Sequence, residues 1–424
     1  MVYWRFRDAC RWGELKGNEM SRLTKQIALL LSILVIAYVA AGYVLGRSTD
    51  DKAYRSLTVY SEVLEHIQKD YVEDPDMHQV TTGALHGLLD SLDPDSSYLS
   101  PLEYQDYKEK VQSKPEGAAG VAVSKHNGYI IVISVLPDSP AQKANLHTGD
   151  YLESIAGFTT SQMAIGQAQV LLTGKPGSSV KLSVIRRSRV EPDDVELVLA
   201  KVPEPKILED RINGDIEYLR LSTLDSEAVE HLREKLTQLD GKGAHKLILD
   251  LRDCALGEPA DGVAASQLFL SSGNITSLKG QTVAEQKFSA DGSKVAWKEP
   301  VTVMISGGTA GPAEILAGAI ADNHRGETIG DRTFGTASSQ KLIQLDDGAA
   351  LILTVADYYT PAGKSIPAEG VAPTVPETAE DVAALNDLQE TTAPPPGQVA
   401  SPDDPLLKKA IDVLEGNKTA KKAS

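Results

Sequence analysis

The hydrophobic positions of this chain change their spacing several times, and each change indicates a different kind of element. Residues 26–46 read QIALLLSILVIAYVAAGYVLG, without a charged side chain. An uncharged stretch of about 20 residues is long enough for an α-helix to cross a membrane. Between residues 52 and 113, apolar residues recur at helical spacing, as at Leu57, Leu64 and Ile67. We therefore predict a transmembrane helix at 26–46 and a helical region at 52–113.

Beyond this region the pattern becomes one of strands and short helices. Residues 115–202 contain alternating apolar runs such as GYIIVISVL, and residues 205–375 contain IEYLRLSTL and HKLILDLRD on either side of an amphipathic helix. Residues 376–404 are rich in proline, which predicts a flexible linker. Residues 405–424 are predicted to be a C-terminal helix and a solvated tail. The predicted class is α/β multidomain.

Charge around the apolar run predicts its orientation. Basic residues outnumber acidic ones in residues 1–25, whereas Ser-Thr-Asp-Asp follows Arg47. The positive-inside rule then places residues 1–25 in the cytoplasm and the bulk of the chain outside. A cleaved signal peptide is the alternative, because Val39-Ala40-Ala41 could mimic a cleavage site. Met20 is an alternative start.

Composition excludes two classes of function. The chain has 42 Lys+Arg against 59 Asp+Glu, a formal charge of −17, and no basic patch after residue 50, so nucleic acid is not expected as a partner. The two cysteines, Cys10 and Cys254, and the scattered histidines have no metal-ligand spacing. We expect no metal and no cofactor.

Four segments carry a specific resemblance: GLLDSLDPDSSYLSPLEY (87–104), SPAQKANLHTGDYLESIAG (139–157), VTVMISGGTAGPAEILAGAIAD (301–322) and GDRTFGTASSQKLIQLDDGAALILTVADYYTPAGKSI (330–366). Together they resemble the carboxy-terminal processing peptidases, or tail-specific proteases, which are PDZ-containing serine peptidases with a Ser–Lys pair. The resemblance covers roughly residues 55–375. It implies a PDZ domain at 115–202, inserted before an α/β protease core at 205–375.

The same resemblance locates the catalytic positions, and the reacting groups are missing from them. The family's nucleophilic Ser corresponds to Gly311 and its general-base Lys to Thr336, with the family's separation between them, while its Gln is present as Gln340. Glycine has no side chain with which to attack, and a threonine hydroxyl is not a base near neutral pH. The loop that donates to the oxyanion in the family is altered here to Cys254, Ala255, Leu256 and Gly257. We expect Leu256 to resist a backbone conformation selected for glycine.

The PDZ resemblance implies a peptide-binding groove. A PDZ domain adds an extended C-terminus to a sheet edge and holds the carboxylate with backbone amides. Two elements are expected to form the groove, a carboxylate loop and one helix face: Ala119, Gly120, Val121, Ala122 and Val123; Met163, Gln167 and Leu171. Alanines at 119 and 122 stand where the family pattern has glycines, so a φ > 0 requirement at either position would spoil the pocket.

Three functions follow as hypotheses. The first is a membrane-anchored pseudoprotease of the bacterial inner membrane, facing the periplasm, that binds peptide C-termini or exported proteins. It would form homo- or hetero-oligomers, for example with an active relative. The second is an active peptidase with relocated residues, for which the candidates are Ser306, Thr309, Ser338, Ser339, Lys341 and Cys254. The third is a scaffold without peptide affinity. Gln340 is expected to satisfy backbone groups of its strand.

Overall fold

A computed structural model of the chain describes residues 22–113, 115–126, 128–186, 191–241, 244–378, 381 and 393–416. The predicted cytoplasmic segment 1–25 lies outside them except for its last four residues. The tail after residue 416 and most of the segment 379–392 also lie outside. Residues 1–80 and 81–424 form two separate compact units.

The N-terminal part is helical, with one strand that the sequence did not predict. The elements are α1 (Arg22–Asp70), α2 (Met77–Asp90), β1 (Ser97–Leu99) and α3 (Pro101–Ser113). Residues 26–46 lie within α1. Within the part of the chain that the structure describes, no helix is both long enough and apolar enough to cross a membrane. The predicted helical region 52–113 is broken at β1, because these three residues are buried as a strand against the core.

The predicted PDZ region is a small antiparallel sheet closed by short helices. It comprises β2 (Gly117–Ala118), β3 (Val121–His126), β4 (Tyr129–Val135), α4 (Pro140–Lys143), β5 (Tyr151–Ile155), β6 (Phe158–Thr159), α5 (Ile165–Leu171), β7 (Thr173–Gly174), β8 (Ser179–Ile185) and β9 (Asp193–Val198). The sheet order is β3-β4-β5-β8-β9, with β6 beside β5. Strand β3 is therefore an edge strand, the position that a PDZ ligand needs.

The core consists of two sheets with helices packed on them. It contains β10 (Leu208–Ile212), β11 (Ile216–Arg220), α6 (Ser226–Gly241), β12 (Lys246–Asp250), α7 (Pro259–Gln267), β13 (Asn274–Lys279), β14 (Gln286–Ser289), β15 (Val301–Ile305), α8 (Pro312–Asp322), β16 (Glu327–Gly330), β17 (Ser338–Gln344), β18 (Ala350–Tyr359), α9 (Ile366–Glu369), β19 (Val375–Pro376) and α10 (Pro405–Leu414). The first sheet has the order β10-β11-β12-β15-β16-β19 and is parallel from β11 onward. The second has the order β1-β18-β13-β14, with β17 on β18.

Parallel strands need cover on both faces, and their sequences reflect it. Strands β11, β12 and β15 are buried almost throughout. Helix α8 is buried from Pro312 to Ala321, so it runs through the interior and not along the surface. Proline at its first position fits the helix start, where no N–H is needed for an intrahelical bond. The start of α8 is therefore buried, while Gly311, the residue before it, is half-buried.

The segment 393–404 is docked, in contrast to the flexible linker predicted for 376–404. The Arg220 guanidinium, which is 2% exposed, donates to the carbonyls of Pro394 at 2.8 Å, Pro395 at 2.9 Å and Gln398 at 2.5 Å. Gln142 Nε2 of the PDZ region donates to the Pro396 carbonyl at 2.9 Å. Composition suggested flexibility, but a buried arginine provides the donors that unpaired carbonyls require.

Candidate active site

Gly311 caps the N-terminus of α8 in a backbone conformation that side chains disfavour. Its φ is 57° and its ψ is −117°. Residues with a Cβ enter such regions only at a cost of about 1–3 kcal/mol, and such strain is concentrated at functional sites. A Cβ atom here would still have room, with the Ala255 carbonyl oxygen 3.8 Å away. The position thus has the geometry of a nucleophile's turn without the nucleophile.

Glu314 holds the two degenerate catalytic positions in one frame. Its fully buried carboxylate accepts the amides of Gly311 at 2.9 Å, Gly335 at 2.7 Å and Thr336 at 2.8 Å, together with the Thr333 hydroxyl. Burial raises the pKa of this carboxyl to about 7, and the hydrogen bonds partly oppose that shift. Sequence reasoning used Glu314 only to set the register of the motif. The signal that it missed was one acidic residue within an otherwise apolar helix start.

Pro312 lacks the backbone N–H that would donate a hydrogen bond to an oxyanion at this site. In a strand–turn–helix nucleophile site, the amide of the residue after the nucleophile commonly donates to the oxyanion. Here that residue is Pro312, at the first position of α8. Proline has no N–H. A tetrahedral intermediate on residue 311 would therefore lack this donor, and the sequence contains that information in the pair Gly-Pro.

The altered loop at 253–257 has a different local geometry from the one expected. Leu256 is not among the residues with positive φ; in this loop those are Asp253, at φ 57°, and Gly257, at φ 131°. A Cβ on Gly257 would lie 2.2 Å from the Leu224 carbonyl oxygen, so only glycine fits there. The Leu256 carbonyl accepts the Leu224 amide at 2.8 Å and fixes the loop. The expected strain at Leu256 is therefore absent, and the loop's glycine requirement is met by the glycine it has kept.

Cys254 is inaccessible as a replacement nucleophile. Its side chain is fully buried in the main hydrophobic cluster of the core. Burial raises the pKa of the thiol well above its usual range, so the reactive thiolate is disfavoured. This residue packs the core.

The hydroxyls near the vacant site divide into two groups. Ser306 and Thr309 are buried and build the loop before α8, with Thr309 Oγ1 donating to the Leu251 carbonyl at 2.8 Å. Ser338 lines the cavity beside Gly311, and its Oγ lies 3.1 Å from Asp95 Oδ2. Gln340 Nε2 contacts the Ser338 Oγ at 2.6 Å. The Gln340 amide thus bonds a side chain and not the strand backbone. Ser339 and Lys341, also on β17, are not among the residues that line this cavity.

A groove in the PDZ region continues to the vacant site. One cavity of 710 Å³ is lined by residues of β3, α5, the 255–257 loop, Gly311 and Thr336. Gly120 opens β3 at φ 72°, and a Cβ there would lie 2.3 Å from Cβ of Ser139. Ala119 and Ala122 have no positive φ. The positive φ is therefore needed at Gly120, which is a glycine, and Ala119 and Ala122 are compatible with the loop conformation.

The residues that α5 contributes to the groove are not the ones that the sequence predicted. The cavity is lined by Ile165, Gly166, Gln169 and Leu172, together with Val121, Ala122 and Val123 of β3. Met163 precedes α5 and is buried in the PDZ core, and Leu171 packs against the same core. Gln167 is half-buried outside the cavity lining. The sequence placed the helix too early, because nothing in residues 160–164 marks the 3₁₀ turn there.

Comparison with known proteins agrees with the fold. Residues 215–376 match Peptidase family S41, and residues 117–197 match the PDZ domain. The chain is 31% identical over 333 residues to a carboxy-terminal-processing protease of Bartonella bacilliformis, covering 77% of this chain and 76% of that protein. It is 28% identical to the carboxy-terminal processing protease CtpA of Bacillus subtilis, covering 86% and 80%.

The fold is also similar to a solved structure. The photosystem II D1 C-terminal processing protease superposes with a TM-score of 0.62 at 24% identity, covering 82% of this chain and 98% of that one. The PDZ region and the α/β core are thus parts of one known architecture. The chain belongs to the carboxy-terminal processing protease family, Peptidase family S41.

Proposed function

We propose that this chain is a pseudoprotease that binds peptide C-termini, or partner proteins that present them, without cutting them. The observation that carries the proposal is one continuous cavity from the PDZ groove to Gly311 and Thr336. The cavity keeps a path for a peptide, while the nucleophile, the base and the amide of residue 312 are absent. Loss of nucleophile and base in another serine protease costs roughly 10⁶-fold in turnover.

The test combines cleavage and binding. The purified full chain is incubated with unfolded casein and with tailed peptides, and fluorescence anisotropy of a labelled peptide measures binding. We expect binding that requires a free C-terminal carboxylate, and no cleavage. Gly120→Ala should abolish binding, because its Cβ would collide with Ser139.

Gly128→Ala is the matched control for the binding test. Gly128 also has positive φ in the same domain, at 81°, but a Cβ there meets nothing within 4 Å. This variant should carry the backbone strain and still bind. Cleavage by the natural protein would contradict the proposal, and so would equal affinity for amidated and free C-termini.

A second candidate is an active peptidase with a relocated nucleophile, and the Ser338–Asp95 contact favours it. Burial raises the pKa of Asp95 to about 6, so this carboxylate is a stronger base than an exposed one. The candidate predicts cleavage that Ser338→Ala abolishes and covalent labelling of Ser338 by an electrophilic probe. Unlabelled Ser338 with intact peptide binding would eliminate it.

We also propose a location and a class of partners, both on the evidence of the sequence. The uncharged run at 26–46 would hold the chain at a bacterial inner membrane, with the N-terminus cytoplasmic and the bulk in the periplasm. Partners would be exported proteins or an active relative, in a homo- or hetero-oligomer. Protease accessibility in spheroplasts tests the location. Co-purification that recovers neither a relative nor an envelope protein would count against the partners.

A further inference from the structure

A second cavity lies beyond the vacant site and is acidic. It measures 700 Å³ and is lined by Asp93, Asp95 and Asp357, with Lys279 as a basic residue of its lining. We call it the acidic cavity. It shares Asp95, Ser124, Thr336 and Ser338 with the groove cavity described above. An extended chain in the groove would therefore pass Thr336 and Ser338 into the acidic cavity.

The three carboxylates repel one another, and the basic residue nearest to them in the sheet is Lys279, the cross-strand partner of Asp357. Among the described residues, no lysine, arginine or histidine nitrogen lies within 4.0 Å of their oxygens. Proximity to Asp93 and Asp357, in addition to burial, raises the pKa of Asp95. Lys279 points its ammonium at the Tyr359 ring, 4.0 Å from the centroid. The cavity is thus a partly desolvated site of negative charge, which a cation would stabilise.

The carboxylates differ in how much of their hydrogen-bonding capacity is already used. Asp93 accepts the amides of Asp95 and Ser96 and the hydroxyls of Ser96 and Thr354. It builds the turn before β1. Among the described residues, the Asp95 carboxylate accepts a hydrogen bond from Ser338 Oγ alone, through Oδ2. Its Oδ1 is therefore the oxygen available to a ligand.

An independent observation also points to a ligand. Ser124, on β3 at the junction of the two cavities, is 3% exposed, and its hydroxyl has no hydrogen-bond partner among the described residues. A buried hydroxyl without a partner costs about 1–3 kcal/mol and is uncommon in native proteins. A peptide backbone or side chain in the channel would provide the missing partner.

We infer that the channel selects peptides carrying a lysine or arginine upstream of the C-terminus, with the basic side chain held in the acidic cavity by Asp95 and Asp357. This rests on the proposed peptide binding and specifies the class of peptide. The PDZ-type groove holds the C-terminus near Gly120, so the residues entering the acidic cavity are those that precede it. Charge complementarity decides the occupant, because a neutral or acidic side chain would leave the carboxylates unpaired.

The experiment measures dissociation constants of the purified full chain for a set of labelled neutral peptides with one free C-terminus. A single position, scanned upstream, carries lysine, its neutral isostere norleucine, or glutamate. At one position we expect lysine to bind roughly 10-fold tighter than norleucine, and glutamate to bind more weakly than either. Added salt should reduce the difference.

Substitutions of the carboxylates test whether the preference for lysine arises in the acidic cavity. Asp95→Asn and Asp357→Asn should each reduce the ratio of the lysine peptide's affinity to the norleucine peptide's affinity, and the double variant should remove most of it. Asp346→Asn, at an exposed aspartate outside both cavities, should leave the preference intact. Fluorescence of the buried Trp297 reports whether each variant is folded.

The outcomes separate this inference from the function on which it rests. Equal affinities for lysine and norleucine at every position would overturn the basic specificity and leave peptide binding standing. A lysine preference that survives the Asp95→Asn/Asp357→Asn double variant would also overturn it. Asp95-dependent binding of spermidine without any peptide preference would overturn the peptide as the occupant. No binding of any peptide would overturn both proposals.

Discussion

A Cβ atom on Gly311 would lie 4.0 Å from Oγ1 of Thr336. The two residues at the predicted nucleophile and base positions are therefore neighbours at the start of α8. The nearest other atom to that Cβ position is the Ala255 carbonyl oxygen, at 3.8 Å, so there is still space for a side chain. The proposed loss of activity is therefore testable by restoring both side chains.

Restoration should require three substitutions. Gly311→Ser/Thr336→Lys replaces the dyad, but Pro312 still withholds an amide from the oxyanion. Adding Pro312→Ala should raise casein turnover about 10²–10³-fold over the double variant, the usual effect of one oxyanion donor. Leu256→Gly should add nothing, because Gly257 already supplies the positive φ.

Pro259 provides the matched control for the restoration. It is also a proline at the start of a helix, α7, and lines the same cavity. Pro259→Ala in place of Pro312→Ala should give no gain. A double variant as active as the triple would show that the residue 312 amide is not needed.

Glu314→Gln should lower the free energy of unfolding, because it disturbs the hydrogen bonds that Glu314 accepts. The glutamine amide group would direct a donor at the amides of Gly311, Gly335 and Thr336, all of which are donors themselves. We expect a loss of about 1–3 kcal/mol in the free energy of unfolding for each donor left without an acceptor. Denaturant titration followed by Trp297 fluorescence measures it. An unchanged midpoint would mean that these contacts contribute little to stability.

Stability should fall as pH rises through neutrality. Burial raises the pKa of Glu314 to about 7 and those of Asp95 and Asp253 to about 6. In each case the folded protein retains a proton that the unfolded chain has released. The stability from these groups is therefore complete below about pH 4 and lost as pH approaches about 7. Unfolding free energies from pH 5 to pH 8 should decline, and Glu314→Gln should flatten the decline. A rising curve would contradict the assignment.

Arg220→Lys should release the docked segment 393–404. Lysine keeps the charge but lacks the guanidinium fork that reaches three carbonyls at once. Amides of residues 397–404 should exchange hydrogen faster, and proteolysis within this segment should increase. Arg233→Lys is the control, because Arg233 is half-buried and, in the part of the chain that the structure describes, pairs with Glu230 on its own helix. Unchanged exchange in Arg220→Lys would place the docking energy elsewhere.

Asp404→Asn should destabilise the packing of α10. Asp404 Oδ2 lies 2.8 Å from Arg252 Nη1, and both side chains are fully buried. Asparagine caps a helix about as well as aspartate, so the change removes the ion pair and keeps the cap. Breaking a buried pair typically costs about 3–5 kcal/mol, less here because Arg252 keeps Asp250. Asp403→Asn, at an exposed pair with Lys408, should be nearly neutral by thermal unfolding. Equal effects of the two changes would count against the buried pair.

Sequence alone determined the family and the order of the PDZ domain and the α/β core, and it predicted the vacancy at Gly311 and Thr336. These are properties of local motifs, because short runs such as Thr333-Phe334-Gly335 and Glu314-Ile315 keep their spacing along the chain. The strands β11, β12 and β15 could also be predicted from their apolar sequences, because parallel strands buried on both faces contain few polar residues.

Only the tertiary structure decided what joins distant segments. Glu314 receives its donors from residues 333–336, Asp95 meets Asp357 and Ser338 in a cavity, and Arg220 captures carbonyls near residue 395. Each contact joins residues that are far apart in sequence. Its contribution to stability depends on burial, which a local sequence pattern does not show. For the same reason the proline-rich segment 393–404 was predicted to be flexible: its composition favours solvation, and only a buried guanidinium that satisfies its carbonyls makes docking more stable.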